Sequence, residues 1–247
     1  MVRTYRHETW DTYQMVMHDP HHVLEPLENE IAVVKEALDV LCEAGVLPHT
    51  EYDHARMLAH REAVRELFEI PWTAITPRMQ RLLYAINAIL QPENMIAGGV
   101  FCGNTFISNA GAGVGPGACY TARNLIGVEI RGEEAELAER NVRRIDPTGV
   151  ARVVGADAVQ VVSEFAESIN LLYVDADGRS GSGKGIYYDI AKAAYPWMPE
   201  GAVALAHNSL NGGQPVEAYL EYVRDEAEFR ASVNVILDVE GLEVSVK

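Results

Sequence analysis

Glycines and acidic side chains follow a series of short apolar runs in the second half of the chain. The first run ends in a turn with Gly99 and Gly103, the second ends at Glu129, and the third is followed by Asp157. In a doubly wound sheet, ligands bind outside the carboxyl ends of the strands. Glycine lets the backbone approach a ligand closely, and one carboxylate can accept both hydroxyl protons of a ribose. The set predicts a slot for a nucleoside-type cofactor.

The next two runs end in groups that could act on a substrate. Asp175 and Asp177 close the fourth run, and His207 and Asn208 close the fifth. A histidine titrates near neutral pH and can serve as a general base, whereas carboxylate and amide oxygens suit a divalent cation. Any single acid in these places could equally be a solvated side chain or a helix N-cap.

The elements that must position these residues alternate between apolar runs and helical stretches. The runs are Met95–Phe101, Leu125–Ile130, Ala151–Val154, Ile169–Val174, Ala202–Ala206 and Val233–Val239. The helical stretches include Glu133–Ile145, Ala158–Phe165, Tyr187–Ala194 and Val216–Glu226. This alternation predicts a Rossmann-like α/β core over residues 92–247, with a doubly wound, mostly parallel sheet.

Residues 1–91 are predicted to form an N-terminal helical extension, which could cap a substrate or form a dimer. After about 20 residues without a period, one face of a first helix repeats apolar residues at spacings of three and four: Leu24, Leu27, Ile31, Val34, Leu38 and Leu41. That face suits either core packing or a homodimer seam. Gly45 predicts the end of this helix, Thr50 with Asp53 a cap for the second, and Thr76-Pro77 the start of the third.

The order of these motifs resembles the catechol and caffeoyl-CoA O-methyltransferase-like group of class I methyltransferases, from about residue 73 to the end. The matching segments are Ala74–Leu83, Gly99–Gly103, Asn124–Glu129, Gly155–Ala158, Leu172–Asp177 and Gly241–Lys247. The resemblance implies S-adenosylmethionine as the cofactor and methyl transfer to a small molecule, with an oxygen acceptor favoured. It also implies that Gly99, Gly103, Glu129 and Asp157 hold the cofactor, and that Asp175 lies near the reacting centre.

Three positions depart from the pattern of that family, and the first is Gly98, which stands where the family has an acid before its first glycine. The family holds a divalent metal with Asp, Asp and Asn; Asp175 and Asn208 match, but His207 stands at the middle position. Because magnesium prefers oxygen ligands, the histidine indicates either a softer metal or none. The family lysine three residues after the first aspartate is replaced by Gly178, and Lys184 is the nearest substitute. We therefore take His207 as the candidate base or third ligand, with Lys184 and Asp175 completing the predicted catalytic group.

Two glycine-rich segments offer competing interpretations. Gly178–Gly185 nearly matches a P-loop, but Gly185 stands where a magnesium-binding hydroxyl is required. Gly111–Gly117 resembles a dinucleotide loop, and it could instead end a helix, widen the pocket or form the true cofactor turn. A third alternative is a methyltransferase fold that serves only as a non-catalytic binding module.

Several aromatic and histidine residues in the N-terminal part are further candidates. His18, His21 and His22 could bind a metal, and a flap with Tyr5, Trp10 and Tyr13 could contribute to the substrate site. Trp72 and Tyr84 could line the pocket, but burial is the default expectation for aromatic residues at helical spacing.

Charge and cysteine content exclude several classes of partner. A formal net charge of −16 argues against a nucleic-acid partner, and a lack of long apolar stretches argues against a membrane span. Three scattered cysteines and an N-terminus without an apolar leader predict a cytoplasmic protein.

Overall fold

The computed structural model describes residues 2–178, 183–210 and 215–247. Within these ranges, eight strands form one sheet in the order β1-β7-β8-β6-β5-β2-β3-β4. The strands are β1 (Val2–Arg6), β2 (Asn94–Gly98), β3 (Asn124–Glu129), β4 (Ala151–Gly155), β5 (Leu171–Val174), β6 (Val203–His207), β7 (Ala231–Ile236) and β8 (Leu242–Val246). Only β8 runs antiparallel to its neighbours, β6 and β7. The predicted mostly parallel sheet is confirmed.

Helices cover both faces of this sheet. Over the same described ranges they are α1 (Leu27–Glu43), α2 (His54–Leu67), α3 (Pro77–Leu90), α4 (Asn104–Ala110), α5 (Gly132–Ile145), α6 (Ala158–Glu164), α7 (Ile186–Ala194) and α8 (Glu217–Val223). Strand residues alternate between two cores: Met95 and Ala97 pack with α1, α3, α4 and α5, whereas Ile96 packs with α6, α7 and α8. Because both faces are covered, the central strands are apolar throughout, as in other parallel sheets. This is the predicted doubly wound, Rossmann-like arrangement.

The helices before the core follow the predicted capping signals. The side chain of Asp53 caps α2 by accepting from the backbone N–H of Arg56, so Asp53 rather than Thr50 is the N-cap. The side chain of Thr76 caps α3, with Pro77 in its first turn. None of the helices in the described part of the chain is both long and apolar enough to cross a bilayer.

The apolar face of α1 packs into the core of its own chain. Val34, Leu38 and Leu41 are fully buried there, whereas Leu27 at the start of the helix is exposed. Of the two predicted uses of this face, core packing is the one that the structure contains. A homodimer through the N-terminal helices stays a prediction, and it would need other residues of these helices.

The N-terminal part is not entirely helical, because residues 2–6 form a strand that was not predicted from the sequence. This strand, β1, pairs in parallel with β7 from Val2 to Arg6 and forms one edge of the sheet. Its residues are alternately exposed and half-buried, without the strong apolar signal of the central strands. Backbone pairing rather than side-chain burial holds it, which is why its sequence carries no clear pattern.

Candidate active site

A cavity of about 610 Å³ lies at the carboxyl ends of β2, β3, β4, β5 and β6. Its lining includes Gly99, Glu129, Asp157, Asp175, Lys184, His207 and Asn208. The structure therefore brings together all the predicted site residues except Gly103, which lies outside the lining. The convergence of strand ends predicted from the sequence is the reason that residues so far apart in the chain meet here.

The turn after β2 needs glycine for reasons of shape. Gly99 has a φ of +79°, and a Cβ atom there would lie 2.3 Å from the Cα atom of Ala176. Gly103 has a φ of +88° and is the N-cap of α4. The predicted first strand was too long, because the backbone turns at Gly99 and the strand ends at Gly98. The close approach that requires glycine at position 99 is thus to the segment after β5.

Glu129 at the end of β3 is buried and held by backbone amides. Its Oε2 atom accepts from the N–H of Phe101 at 2.9 Å, and its Oε1 atom accepts from the N–H of Arg131 at 3.1 Å. The first of these bonds links the end of β3 to the turn after β2. A carboxylate held in this way faces the cavity with a fixed orientation, which is what a diol-binding group needs.

Asp157, after β4, is the N-cap of α6. Its Oδ1 atom accepts from the backbone N–H of Val159 at 2.9 Å, and the residue is half-buried in the cavity wall. The N-cap that was an alternative for any acid at a strand end is therefore present here. A contact to an adenine amine stays a prediction for this residue.

Asp175, after β5, is surrounded by four side-chain donors. Its Oδ1 atom lies 3.2 Å from the Lys184 ammonium and 3.2 Å from the Tyr187 hydroxyl. Its Oδ2 atom lies 3.3 Å from the Tyr173 hydroxyl and 3.2 Å from Nδ1 of His207. Neither tyrosine was predicted from the sequence, although Tyr173 stands two residues before Asp175 and so points to the same face of the strand.

The charges in this cluster support one another. Burial by itself would raise the pKa of Asp175, but the positive charges of His207 and Lys184 outweigh it and lower that pKa. Burial would lower the pKa of His207, whereas the Asp175 carboxylate raises it above 6.5. Burial also opposes the charge on Lys184, but Asp175 and Asp177 raise its pKa overall. The cluster thus favours an ionised Asp175, a charged Lys184 and a more basic His207.

His207 is buried at the end of β6, with its two ring nitrogens in different surroundings. Nδ1 lies 3.2 Å from Asp175, whereas Nε2 is shielded from solvent and has no hydrogen-bond partner among the residues that the structure describes. A neutral imidazole that donates from Nδ1 keeps the lone pair on Nε2. This arrangement leaves Nε2 as the ring atom that can accept a proton.

Lys184 belongs to the segment that nearly matches a P-loop. Residues 179–182 of that segment lie outside the described residues, and Gly178 pairs with Gly183 across them. The Lys184 ammonium lies 3.2 Å from both Asp175 and Asp177. In a P-loop this side chain would reach a phosphate, whereas here it lies between two carboxylates. The contacts of Lys184 therefore do not support the phosphate-binding alternative.

The predicted metal ligands do not fit a divalent cation. Asp175 already receives four donors, and the Asn208 amide donates to the Glu240 carboxylate at 2.6 Å. No cluster of three or more histidine, cysteine or acidic side chains within residues 2–178, 183–210 and 215–247 is arranged to hold a metal ion. A hard cation needs oxygen ligands with lone pairs directed at it. We therefore derive no chemical step through a metal.

Two aromatic rings form one wall of the cavity. Trp72 lines it as predicted and packs on Phe101, with 4.8 Å between the ring centroids. Tyr84 does not line the cavity: it is fully buried under the glycine-rich loop and donates to the carbonyl of Gly117 at 2.6 Å. Burial, the default expectation for aromatic residues at helical spacing, is confirmed for Tyr84.

The candidates before α1 lie away from this cavity. Tyr5 is in β1 and donates to Glu36, Trp10 packs under Arg6, and Tyr13 packs under Arg78. None of the three contributes to the cavity lining described above, so they do not form the predicted flap. His21 and His22 line a smaller cavity of about 150 Å³, and the absence of a metal-binding cluster in the described residues applies to them too.

The Gly111–Gly117 loop ends α4 and packs around a histidine. Gly111 is the C-cap of the helix, and a Cβ atom there would lie 2.2 Å from the ring of His60. Burial lowers the pKa of His60 to about 4, so the ring is neutral. The loop does not contribute to the larger cavity, and the alternative that it forms the cofactor turn is not supported.

The fold is similar to those of several solved methyltransferases. An O-methyltransferase from Bacillus cereus, in complex with S-adenosylhomocysteine, is 16% identical with a TM-score of 0.55, covering 88% of this chain and 100% of that chain. The O-methyltransferase TomG from Streptomyces achromogenes, in complex with S-adenosylmethionine, is 16% identical with a TM-score of 0.54, covering 85% and 95%. A Podospora anserina methyltransferase bound to S-adenosylhomocysteine is 13% identical with a TM-score of 0.57, covering 91% and 98%.

No family model and no curated protein matches the sequence. At these identities the comparison with solved structures concerns the fold. The chain has the Rossmann-like α/β fold of the S-adenosylmethionine-dependent methyltransferases.

Proposed function

We propose that the protein is an S-adenosylmethionine-dependent methyltransferase that acts on a small molecule. The observation that carries this proposal is the buried Glu129 carboxylate, held by two backbone amides in the wall of the strand-end cavity. Solved proteins of the same fold are in complex with S-adenosylmethionine or S-adenosylhomocysteine. A net charge of −16 favours a small-molecule acceptor over a nucleic acid.

The cofactor-binding roles follow from position. Glu129 would accept from the ribose hydroxyls, and Asp157 would accept from the adenine amine. Gly99 allows the tight turn after β2, and Gly103 lies next to this turn at the start of α4. Asp175 closes the far side of the slot, where cofactor and acceptor would meet.

When bound, S-adenosylmethionine supplies a methyl group on a positively charged sulfur, which is already activated for transfer. The protein must then align the acceptor and remove its proton. His207 is suited to take that proton on Nε2, because Asp175 holds Nδ1 at 3.2 Å and raises the basicity of the ring. Lys184 offsets the charge of Asp175 and Asp177.

An oxygen acceptor is favoured because two of the solved proteins described above are O-methyltransferases. The proton on a hydroxyl is also the kind that a nearby histidine removes. The Trp72 and Phe101 rings, which pack against each other at an interplanar angle of 34°, offer apolar surface to such an acceptor.

The N-terminal part would act as a cap on the substrate. Four consecutive residues of the segment before α3, from Trp72 to Ile75, line the cavity. A homodimer through the N-terminal helices is a further part of the proposal. Val23 and Leu27, which are exposed, give it apolar surface, and sedimentation velocity would test it.

Calorimetry with S-adenosylmethionine and S-adenosylhomocysteine tests the proposed function. We expect saturable binding to the wild type, weakened by about 1–3 kcal/mol in Glu129→Gln through lost hydrogen bonds to the ribose. The exposed Glu136 on α5 provides a matched control, and Glu136→Gln should bind as the wild type does. No binding to the wild type would refute the function, and equal affinity of Glu129→Gln and Glu136→Gln would place the pocket elsewhere. Transfer of a labelled methyl group separates an enzyme from a non-catalytic module.

A further inference from the structure

We propose that the acceptor end of this site works without a divalent metal ion, because two side chains of the chain itself, one a cation and the other an imidazole N–H donor, occupy the positions around Asp175 that such an ion would take. These side chains are Lys184 and His207, on either side of Asp175. The inference deepens the proposed methyl transfer and rests on it.

Donors crowd the Asp175 carboxylate on both of its oxygen atoms. A carboxylate offers about four acceptor positions. Lys184 lies 3.2 Å from Oδ1, and Tyr173 and His207 lie 3.3 Å and 3.2 Å from Oδ2. The Tyr187 hydroxyl lies 3.2 Å from Oδ1 and 3.1 Å from the His207 carbonyl, and its single proton is shared between these two acceptors. A metal ion would have to compete with these donors, all of which belong to side chains that are themselves buried: Tyr173, Lys184, Tyr187 and His207.

The directions of the polar groups also differ from those of a metal site. Ligands of one ion direct their lone pairs at that ion, whereas Asp175 and His207 are directed at each other through Nδ1. The Asn208 amide is turned towards Glu240, to which it donates at 2.6 Å. The carboxylate of Asp175, Nδ1 of His207 and the amide nitrogen of Asn208 are thus each engaged within the chain.

The positive charge of Lys184 beside Asp175 also repels a metal cation. The Lys184 side chain is 8% exposed, and its ammonium lies 3.2 Å from Asp175 and 3.2 Å from Asp177. Its charge is poorly screened there, since little solvent reaches it. A cation brought to Asp175 would lie close to this ammonium and be repelled by it.

The chemistry balances without a metal. The acceptor oxygen forms a bond to the methyl carbon while the carbon–sulfur bond breaks, and the sulfonium becomes a neutral thioether. The proton of the acceptor hydroxyl passes to Nε2 of His207, which becomes an imidazolium paired with Asp175. That proton returns to solvent when the products leave.

Manganese and magnesium binding to the full chain, with and without S-adenosylhomocysteine, tests the inference by calorimetry and, for manganese, by electron paramagnetic resonance. We expect the wild type to have no manganese or magnesium site that is lost in Asp175→Asn. We also expect that removal of divalent ions by a chelator changes the affinity for S-adenosylhomocysteine by less than twofold. A one-equivalent manganese site that depends on Asp175 would overturn the proposal.

A double variant is expected to gain the metal binding that the wild type lacks. His207→Asp with Lys184→Met removes the imidazole donor and the ammonium, and it places a carboxylate beside Asp175 and Asn208. We expect manganese affinity at least tenfold above that of the wild type. Lys184→Met alone should give a smaller gain, and it serves as the test if the double variant does not fold. Folded variants without any gain would show that these two side chains do not exclude the metal. Failure of the wild type to bind S-adenosylhomocysteine would instead refute the proposed function, so the two failures are distinguishable.

Discussion

The two ends of the cavity hold their acidic side chains in different ways. At the end proposed for the cofactor, Glu129 and Asp157 accept from backbone amides, which fix each carboxylate relative to its own strand or helix. At the end proposed for the acceptor, Asp175 accepts from side chains that come from β5, β6, α7 and the segment before α7. Under the proposed function, the carboxylates held by the backbone would bind the cofactor, and the carboxylate surrounded by side chains would position its neighbours.

Replacing His207 should have the largest effect of the variants predicted here. Equal effects on methyl transfer and on cofactor binding would contradict the difference between the two ends of the cavity. We expect His207→Gln to lower the rate of methyl transfer by about 10²–10⁴-fold through loss of the base, with cofactor affinity changed by less than about threefold. Steady-state kinetics and calorimetry measure the two quantities. The exposed His49 provides the control, since His49→Gln should leave both unchanged. Equal losses in rate and affinity would contradict a base role.

Gly99 joins the two ends, because its Cα atom packs against the backbone after β5. A side chain there would combine a positive φ with a 2.3 Å overlap on Ala176. We expect Gly99→Ala to lower the free energy of unfolding by about 2–4 kcal/mol, measured by urea denaturation. At Gly132, where an added Cβ atom would meet nothing within 4 Å, the same change should cost less than about 1 kcal/mol. Similar losses at both glycines would show that the close approach is not what requires Gly99.

Asp157 can be used to separate capping from ligand binding at the cofactor end. Asparagine caps helices as well as aspartate does, so Asp157→Asn should leave stability nearly unchanged and weaken cofactor binding by about 0.5–1.5 kcal/mol. Asp157→Ala should lose the cap of α6 as well and cost about 1 kcal/mol of stability. Thermal unfolding and calorimetry distinguish the two. If Asp157→Asn binds the cofactor normally, this residue is only a cap.

The pH dependence of the rate tests the assignment of His207 as the base, and we predict the direction of this dependence. Burial lowers the pKa of His207, but Asp175, Asp238 and Glu240 raise it above 6.5 overall. Since only the neutral ring can accept a proton, the rate should rise with pH through that raised pKa. Asp175→Asn should move this rise to lower pH, and kcat measured against pH would show it.

The sign for stability is opposite to the sign for activity. A raised pKa in the folded state means that the charged pair of His207 and Asp175 stabilises the fold below pH about 6.5. That contribution is lost as the pH rises through the raised value. An activity profile that fell with increasing pH over this range would argue against His207 as the base.

Local patterns in the sequence were sufficient to predict the parallel core and the position of two acidic residues at its edge. Glu129 lies at the end of one short apolar run and Asp157 follows another, and the end of a run indicates the edge of the sheet. The capping signals at Asp53 and Thr76 are also local, since an N-cap bonds to a backbone amide only a few residues away.

Contacts between distant segments could not be predicted in the same way. Tyr187 reaches Asp175 only because α7 packs over the end of β5, and no pattern within one segment reports that packing. The same holds for Asn208, whose partner Glu240 lies in the connection between β7 and β8. This is why the predicted metal ligands do not fit a divalent cation. Their residue types were identified correctly from the sequence, but their hydrogen-bond partners come from distant segments of the chain.

The first strand of the chain has a consequence for how the molecule is made. Val2 pairs with Ser232, so this edge of the sheet joins residues about 230 positions apart. A ribosome must therefore add about 230 residues after Val2 before β1 can pair with β7, and contacts of such long range slow the closing steps of folding. Until then the outer edge of β7 stays open to other chains, so deletion of residues 2–6 should favour aggregation during synthesis.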